Sequence, residues 1–156
     1  MTSPLVLEES VVTLLGKGAV VVVGTANEAL EPEICRAWGP QWDTVTGRLT
    51  VLVPLPAGRN SLDNLERSPR VAFTVSMPTD YQAYQLKGSR VATREPRADD
   101  WRRARMHFDA FLTEASRVGL EPQAFAPWFA VEGLLLVTEI DSVFRQAPGA
   151  KAGTAL

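Results

Sequence analysis

The sequence has few of the residues from which catalytic and metal sites are most often built. Among its 156 residues are one histidine, His107, and one cysteine, Cys35. A lone histidine on the charged side of a predicted helix excludes catalytic triads and multi-histidine metal sites. One cysteine permits neither an intrachain disulfide nor a Cys-rich zinc site. We expect His107 to be an ordinary surface or boundary residue and Cys35 a small buried one, with a reactive thiol as the alternative for Cys35.

An excess of charge and a long apolar run are also lacking. Lysine and arginine number 16 against 18 acidic residues, which gives a formal net charge of −2. This balance offers no basic surface to nucleic acid or to an anionic membrane. No run approaches the roughly 18 apolar residues of a membrane span, and the segment MTSPLVLEES has neither the cationic region nor the long apolar core of a secretory signal. We therefore expect one cytoplasmic domain over residues 1–156.

What the sequence does contain is a series of apolar, β-branched segments separated by turns. Six segments have the composition of strands: residues 19–26, 34–39, 48–54, 70–76, 81–95 and 133–146. Helices are predicted over residues 4–15, at the segment GRNSLDNLERSP, and from Asp99 to Gly119. Gly88 is expected to mark a bulge or bend. The absence of regular βαβ units indicates an α+β fold with an antiparallel, barrel-like sheet.

Polar side chains recur on two of these strands. Alternate residues of a strand point to the same face, so Arg36 lies beside Trp38 on one strand, and Gln85 lies beside Lys87 on another. These residues are candidates to hold a planar ligand. A polar outer sheet face is the alternative interpretation of Gln85 and Lys87.

The segment GRNSLDNLERSP, residues 58–69, starts a helix with a cation, an amide and a hydroxyl: Arg59, Asn60 and Ser61. The free backbone N–H groups and the dipole of a helix N-terminus attract anions, so this corner is a candidate phosphate site. In the alternative interpretation, Asn60 or Ser61 caps the helix and Arg59 is solvated.

Five segments in this order resemble one known family: VVVVGTANEALEPEICRAWG, RLTVLVPL, GRNSLDNLERSPRVAFTVS, YQLKG and VFRQAPGAKAG. The sequence is similar to the pyridoxamine 5′-phosphate oxidase-like, flavin-binding split-barrel family over roughly residues 10–153. The resemblance implies a six-stranded antiparallel split β-barrel with flanking helices. It also implies a homodimer with FMN in a groove between the subunits.

The resemblance assigns roles to the polar residues. The family's serine, arginine and lysine that clamp the flavin phosphate fall on Arg59, Asn60 and Ser61, so only their polar character is kept. A family glutamine falls on Ala83, and Gln85, two residues on, is expected to replace it. Phe144, Arg145 and Gln146 are expected to approach the cofactor groove.

The residues beyond Pro148 are expected to drape over the dimer, with a frayed terminus as the alternative. Residues Trp38, Val51, Val53 and the segment GLLLV are expected to fill the dimer contact.

The function implied is that of an FMN-dependent oxidoreductase acting on a small molecule. The cofactor-binding set comprises Arg36, Trp38, Arg59, Asn60, Ser61, Gln85, Lys87 and Gln146; no catalytic residue and no metal ligand is predicted. The tail after Arg145 has no histidine and only one cation, so vitamin B6 phosphates are expected to be poor substrates. A non-catalytic module that binds flavin, deazaflavin or haem is the alternative.

Overall fold

Six strands form a barrel. The computed structural model describes residues 3–156, and its strands join antiparallel in the closed order β1-β2-β3-β6-β5-β4. The bounds are β1 Val20–Ala26, β2 Pro32–Asp43, β3 Arg48–Pro54, β4 Arg70–Ser76, β5 Ala83–Arg94 and β6 Gly133–Arg145. The predicted α+β fold with a six-stranded antiparallel barrel is confirmed.

Within the described part of the chain, three α-helices and one 3₁₀ helix flank the barrel: α1 Glu9–Leu15, α2 Arg59–Arg67, α3 Ala98–Arg117 and the 3₁₀ helix Pro122–Trp128. Helix α1 is shorter than the predicted span of residues 4–15. Glu8, before its first turn, has an extended backbone with φ −60° and ψ 147°. Leu7 reaches the core from this extended segment, with 8% of its surface exposed. The chain before Glu9 is therefore extended, which buries Leu7, and does not form the predicted first turn of the helix.

Strand β2 is longer than its predicted span, which ended at Gly39. It continues to Asp43 through an irregularity between Trp38 and Gln41, where Gly39 has a φ of 61°. The predicted turn is confined to residues 43–47, where the N–H of Gly47 donates to the carbonyl of Asp43 at 2.9 Å. A local kink that glycine permits thus lies inside one strand.

Gly88 lies at a second irregularity, between β5 and β6, as predicted. A side chain at this position would collide with the backbone carbonyl of Glu139. The bulge therefore depends on glycine at this close approach of two strands.

The first hydrophobic core fills the barrel. Val21 and Val23 of β1 point inward and are at most 1% exposed, whereas Val20 and Val22 point outward and are half-buried. Helix α1 closes the barrel near the end of β6, and α2 closes it near the end of β1. Leu65 of α2 is 1% exposed, and full burial of such a side chain stabilises the fold by about 1.5–3 kcal/mol.

The second hydrophobic core lies outside the barrel, between β2, β3 and β6 on one side and α3 on the other. Trp38 is 1% exposed and packs edge-on against Phe108, with ring centroids 4.9 Å apart. The prediction that Trp38, Val51 and Val53 fill a dimer contact is wrong. All three are buried inside this chain, as is most of the GLLLV segment, because α3 and the barrel interior already cover them.

The C-terminal segment is ordered against β6. Beyond Glu139, β6 no longer pairs with β3, which leaves one edge of its last residues free. The N–H of Arg145 donates to the carbonyl of Thr154 at 2.9 Å, and the N–H of Leu156 donates to that of Val143 at 2.9 Å. The tail is therefore not frayed: it turns back and pairs with the free edge. No helix among residues 3–156 is long and apolar enough to span a membrane.

Candidate cofactor site

One side of the barrel, formed by β4 and β5, is covered by no helix among residues 3–156. Helix α3 packs on β2 and β3, whereas α1 and α2 pack against the two barrel ends. Outward side chains in the middle of β4 and β5, such as Thr74 and Gln85, are half-buried. We call the outer surface of β1, β4, β5 and the last part of β6 the open face. It is the surface on which two of the predicted site residues lie.

One row of paired residues crosses the open face from strand to strand. Val22 pairs with Arg36 on one side and with Thr74 on the other, Thr74 pairs with Gln85, and Gln85 pairs with Phe144. The Gln85 amide donates to the Thr74 hydroxyl at 3.4 Å. The row places Gln85 at the centre of the open face, with Arg36 three strands away, or about 14 Å.

The next row provides a flat strip. Gly24 pairs with Ala72, Ala72 with Lys87, and Lys87 with Ser142. The Lys87 ammonium lies 4.8 Å from the ring centroid of Phe144 and has no acidic partner among the described residues. Gly24 and Ala72 carry almost no side chain, so a planar group has access to the sheet on β1 and β4, beside the polar groups of Gln85 and Lys87 on β5. The predicted pairing of these two residues on one face is confirmed.

The predicted phosphate corner keeps only part of its polar set. Arg59 and Asn60 are exposed in the first turn of α2, but Ser61 is 1% exposed and its hydroxyl faces the Cys35 thiol inside the barrel end. Burial raises the pKa of the Cys35 thiol, and the Ser61 hydroxyl opposes this rise. Ser61 is thus turned away from any external phosphate, and Cys35 is the buried small residue that the sequence predicts.

The corner and the open face lie on different parts of the chain. Arg59 lines a cavity of about 500 Å³ with Trp101 and Gly133, and Gly133 pairs with Pro54 at the start of β6. Lys87 pairs with Ser142, near the end of β6. At about 3.3 Å per residue the two anchoring points are roughly 30 Å apart along the strand. The corner therefore lies at the barrel end beside the first residues of β6, outside the open face.

Trp38 and Gln146, also predicted to bind the cofactor, lie outside the centre of the open face. Trp38 shares its strand face with Arg36 as predicted, but it is buried under α3, and its indole N–H donates to the carbonyl of Trp128 at 3.2 Å. It has no surface for a cofactor, so its predicted role is not retained. The backbone N–H of Gln146 donates to the carbonyl of Ala83 at 2.9 Å, which extends the sheet at the edge of the open face.

Arg36 has a partner that the sequence analysis missed. Its guanidinium lies 3.3 Å from the ring centroid of Trp128, in a cation–π contact. The segment around Trp128 was predicted only as a connection with one helical turn. The spacing of Phe125, Trp128 and Phe129 was the available signal, because residues three and four apart share one side of a helical turn.

His107 is buried, which corrects the prediction of a surface or boundary position. It is 7% exposed, its Nδ1 accepts from the N–H of Gly39 at 3.2 Å, and its Nε2 lies 2.9 Å from the carbonyl oxygen of Ala19. Burial lowers the pKa of His107 to about 4, although the Ala19 carbonyl favours the charged form. Both ring nitrogens are engaged in joining α3 to the barrel.

A cleft of about 610 Å³ lies between α3 and the turn after α1. Its two arginines, Arg102 and Arg103, pair with acids of their own helix, which leaves Lys17 as its one cation outside the ion pairs of residues 3–156. Residues 3–156 contain no group of three or more histidine, cysteine or acidic side chains placed to hold a metal ion.

No protein-family model matches this sequence, and no curated protein matches it. Solved structures are similar. A protein related to general stress protein 26, of the pyridoxinephosphate oxidase family, from Clostridium acetobutylicum has a TM-score of 0.58 and 11% identity, with 94% of this chain and 91% of that chain covered. An FMN-binding protein from Syntrophomonas wolfei has a TM-score of 0.51 and 13% identity, covering 88% of each chain. HutZ, the haem storage protein from Vibrio cholerae, has a TM-score of 0.52 and 13% identity, covering 90% of this chain and 95% of that chain.

This chain has the pyridoxamine 5′-phosphate oxidase-like split-barrel fold. The resemblance found in the sequence is thereby confirmed at the level of the fold. The similar structures thus include an FMN-binding protein and a haem storage protein.

Proposed function

We propose that this split-barrel protein is an FMN-dependent oxidoreductase that acts on a small molecule. The observation that carries the proposal is the open face, where Gly24 and Ala72 form a flat strip bordered by the Gln85 amide and the Lys87 ammonium. When bound, the isoalloxazine ring supplies the electron-transfer chemistry. No protein acid or base is then obligatory, so the small number of catalytic residue types in the sequence is compatible with the proposal.

The polar groups of the open face fit a flavin ring. The Gln85 amide has donors and an acceptor for the polar edge of the ring. Lys87, which has no acidic partner among residues 3–156, would stabilise the negative charge of a reduced flavin. These two residues would therefore orient the ring and favour its reduced state.

We further propose a homodimer, as the family resemblance of the sequence implies, with the cofactor in a groove between the subunits. In a two-fold assembly the open face of one copy meets the Arg59 corner of the other, so that Lys87 and Arg59 serve one cofactor. Light scattering on the full chain at micromolar concentration is expected to give twice the mass of one chain; the mass of one chain would contradict the homodimer.

Haem fits the described residues less well than a flavin. An imidazole ligand would have to be His107, whose two ring nitrogens are bonded to Gly39 and Ala19 inside the protein. Ligation would break at least one of these bonds and leave a buried polar group without a partner. We therefore favour FMN, although a similar fold is found in a haem storage protein.

The absorbance spectrum of the purified full chain tests the cofactor. We expect flavin bands in the protein as isolated or after FMN is added. Lys87→Gln and Gln85→Leu are expected to weaken FMN binding roughly tenfold, on the scale of one hydrogen bond to a charged group. Lys17→Gln, in the cleft beside α3, is the matched control and is expected to bind FMN like the unaltered chain. No flavin binding, or equal losses in all three variants, would contradict the proposal.

Bound FMN alone does not establish an enzyme. Anaerobic mixing with NADH or NADPH is expected to bleach the flavin bands, and an added acceptor is expected to restore them. If FMN binds and no electron donor bleaches it, the non-catalytic binding module is the better description.

A further inference from the structure

A groove borders the open face. It has a volume of about 430 Å³ and lies between the barrel and the aromatic side chains of α3 and the 3₁₀ helix. Val20, Val22 and Ile34 line it from the barrel, and Phe111, Phe125 and Trp128 line it from the helices. These walls are apolar, so they favour the body of an apolar molecule.

Arg36 is the one charged side chain among the described residues that line this groove. It forms none of the ion pairs found within residues 3–156, and its side chain is exposed. A guanidinium without a carboxylate partner at the edge of an apolar groove is complementary to one anionic group. Its planar set of donors matches a carboxylate in a bidentate arrangement.

The Arg36 side chain is held in place before any ligand arrives. Its guanidinium lies 3.3 Å from the Trp128 ring centroid. Trp128 is itself fixed by Phe125 at 4.6 Å and by the nearly parallel ring of Phe111 at 5.8 Å, and its carbonyl accepts from the indole of Trp38. The Arg36 side chain therefore loses little conformational entropy when a ligand binds to it.

The charge of this groove limits the ligand to a single negative charge. A phosphate dianion next to one arginine would remain partly uncompensated beside apolar walls, which is unfavourable. A carboxylate is neutralised by one guanidinium. The apolar walls and the single cation thus favour an apolar monocarboxylate, and the aromatic rings that line the groove favour a planar one.

The groove is continuous with the open face. Val22 lines the groove and pairs with Thr74, and Thr74 pairs with Gln85. The distance from Val22 to Gln85 across two strand spacings is about 10 Å. A molecule in the groove would therefore lie beside a flavin ring held at Gln85 and Lys87.

We infer that this groove is the substrate site and that the substrate is a planar, apolar molecule with one carboxylate, which Arg36 binds. The inference rests on the proposed function in calling the bound molecule a substrate. The binding itself does not require a flavin and is tested without one.

The experiment is calorimetric titration of the flavin-free full chain with 2-naphthoate and, separately, with the neutral 2-naphthylmethanol. We expect naphthoate to bind at least tenfold more tightly than the alcohol. Arg36→Gln is expected to remove that preference, and Arg36→Lys to restore only part of it, because lysine lacks the planar fork. Circular dichroism and thermal unfolding verify that both variants fold.

Arg105→Gln is the matched control. Arg105 also lies over aromatic rings, 5.2 Å from the Phe129 centroid, but it pairs with Asp109 and lies outside the groove. It is expected to bind naphthoate like the unaltered chain. Equal effects of the Arg36 and Arg105 substitutions, or no preference for the carboxylate, would overturn the inference whatever the FMN titration shows.

Competition separates this inference from the proposed function. Naphthoate and FMN are expected to bind together, each with little effect on the other. If FMN displaces naphthoate and Arg36→Gln weakens both, the groove belongs to the flavin, and the substrate inference fails while the proposed function stands. If naphthoate dissociates a dimer into single chains, the groove is an interface between copies, and the inference also fails.

Discussion

The Nδ1 atom of His107 lies 3.2 Å from the backbone nitrogen of Gly39 and accepts its hydrogen bond. Since Nδ1 accepts, the proton of the neutral ring is on Nε2, which donates to the carbonyl of Ala19 at 2.9 Å. The only histidine of the chain therefore joins α3 to β2 and to the residue before β1. It does so only in its neutral form, because a protonated Nδ1 can no longer accept.

The pH dependence of stability follows from this arrangement. The pKa of His107 is lowered from 6.5 to about 4 by burial, so the unfolded chain binds its proton first as the pH falls. The free energy of unfolding therefore decreases as the pH falls from about 6.5 to 4. Below pH 4 the titration of His107 no longer changes it. At 1.36 kcal/mol per pKa unit the loss is about 3 kcal/mol. Urea denaturation at intervals from pH 7.5 to pH 4 measures it.

His107→Gln is the control for this prediction, because glutamine offers one donor and one acceptor and does not titrate. Its stability is expected to be nearly flat between pH 6.5 and pH 4.5. Carboxylates with lowered pKa values, such as Asp141 beside Arg70, lose their contribution only as the pH falls below their unfolded value of 3.8 and so act in a separate range. Parallel pH profiles for the two chains would contradict the assignment to His107.

Substitution of Gly39 by alanine is expected to destabilise the chain by about 3 kcal/mol. Gly39 has a φ of 61°, and an added Cβ would lie 2.8 Å from the backbone nitrogen of Ala104, in α3. The left-handed backbone alone accounts for about 1 kcal/mol, and the collision with α3 adds to it. The denaturation midpoint of Gly39→Ala measures the total.

Gly119→Ala isolates the backbone contribution. Gly119 has a φ of 81°, and nothing lies within 4 Å of an added Cβ. A loss of about 1 kcal/mol is expected there. Equal losses at the two glycines would mean that α3 moves away from β2 without penalty.

The sequence was sufficient for most of the fold because the strands carry local signals. Val21 and Val23 alternate with outward valines, and Gly88 marks a bulge at a position where no side chain fits. The environment of His107 was not predictable, because it depends on how α3 sits on the barrel. Helical spacing placed His107 on a polar side of α3, but that side faces backbone groups of β2 rather than water.

The candidate site was predicted only in part, for the same reason. Strand alternation placed Gln85 and Lys87 on one face, as the structure shows. The contact of Arg36 with Trp128 joins residues far apart in the sequence, and no local pattern specifies it. The burial of Ser61 likewise depends on how α2 is oriented over Cys35.

Removal of residues 148–156 is expected to destabilise the end of β6. The truncated chain loses the backbone bonds from Arg145 to Thr154, from Gly153 to Arg145 and from Leu156 to Val143. At a net value of about 0.5–1.5 kcal/mol for each bond, a loss of roughly 2–4 kcal/mol follows. Amide hydrogen exchange at Arg145 is expected to become faster, whereas exchange at Val21, on the far side of the barrel core, is not. Unchanged exchange at Arg145 would show that the tail does not protect this edge in solution.

Substitution by lysine at the start of α2 is expected to be tolerated at position 60 and to destabilise the chain at position 61. Asn60→Lys places a cation on the exposed surface beside Arg59, so it should leave stability within about 0.5 kcal/mol and tighten FMN binding through a second contact with the phosphate. Ser61→Lys forces an ammonium toward the buried Cys35 thiol, since Ser61 is 1% exposed. A buried cation without a partner is expected to destabilise the chain by about 3 kcal/mol or more. Urea denaturation and FMN titration of both variants distinguish the two positions. If Ser61→Lys were as stable as Asn60→Lys, the first turn of α2 would have to present residue 61 to solvent, and the phosphate corner would then include it.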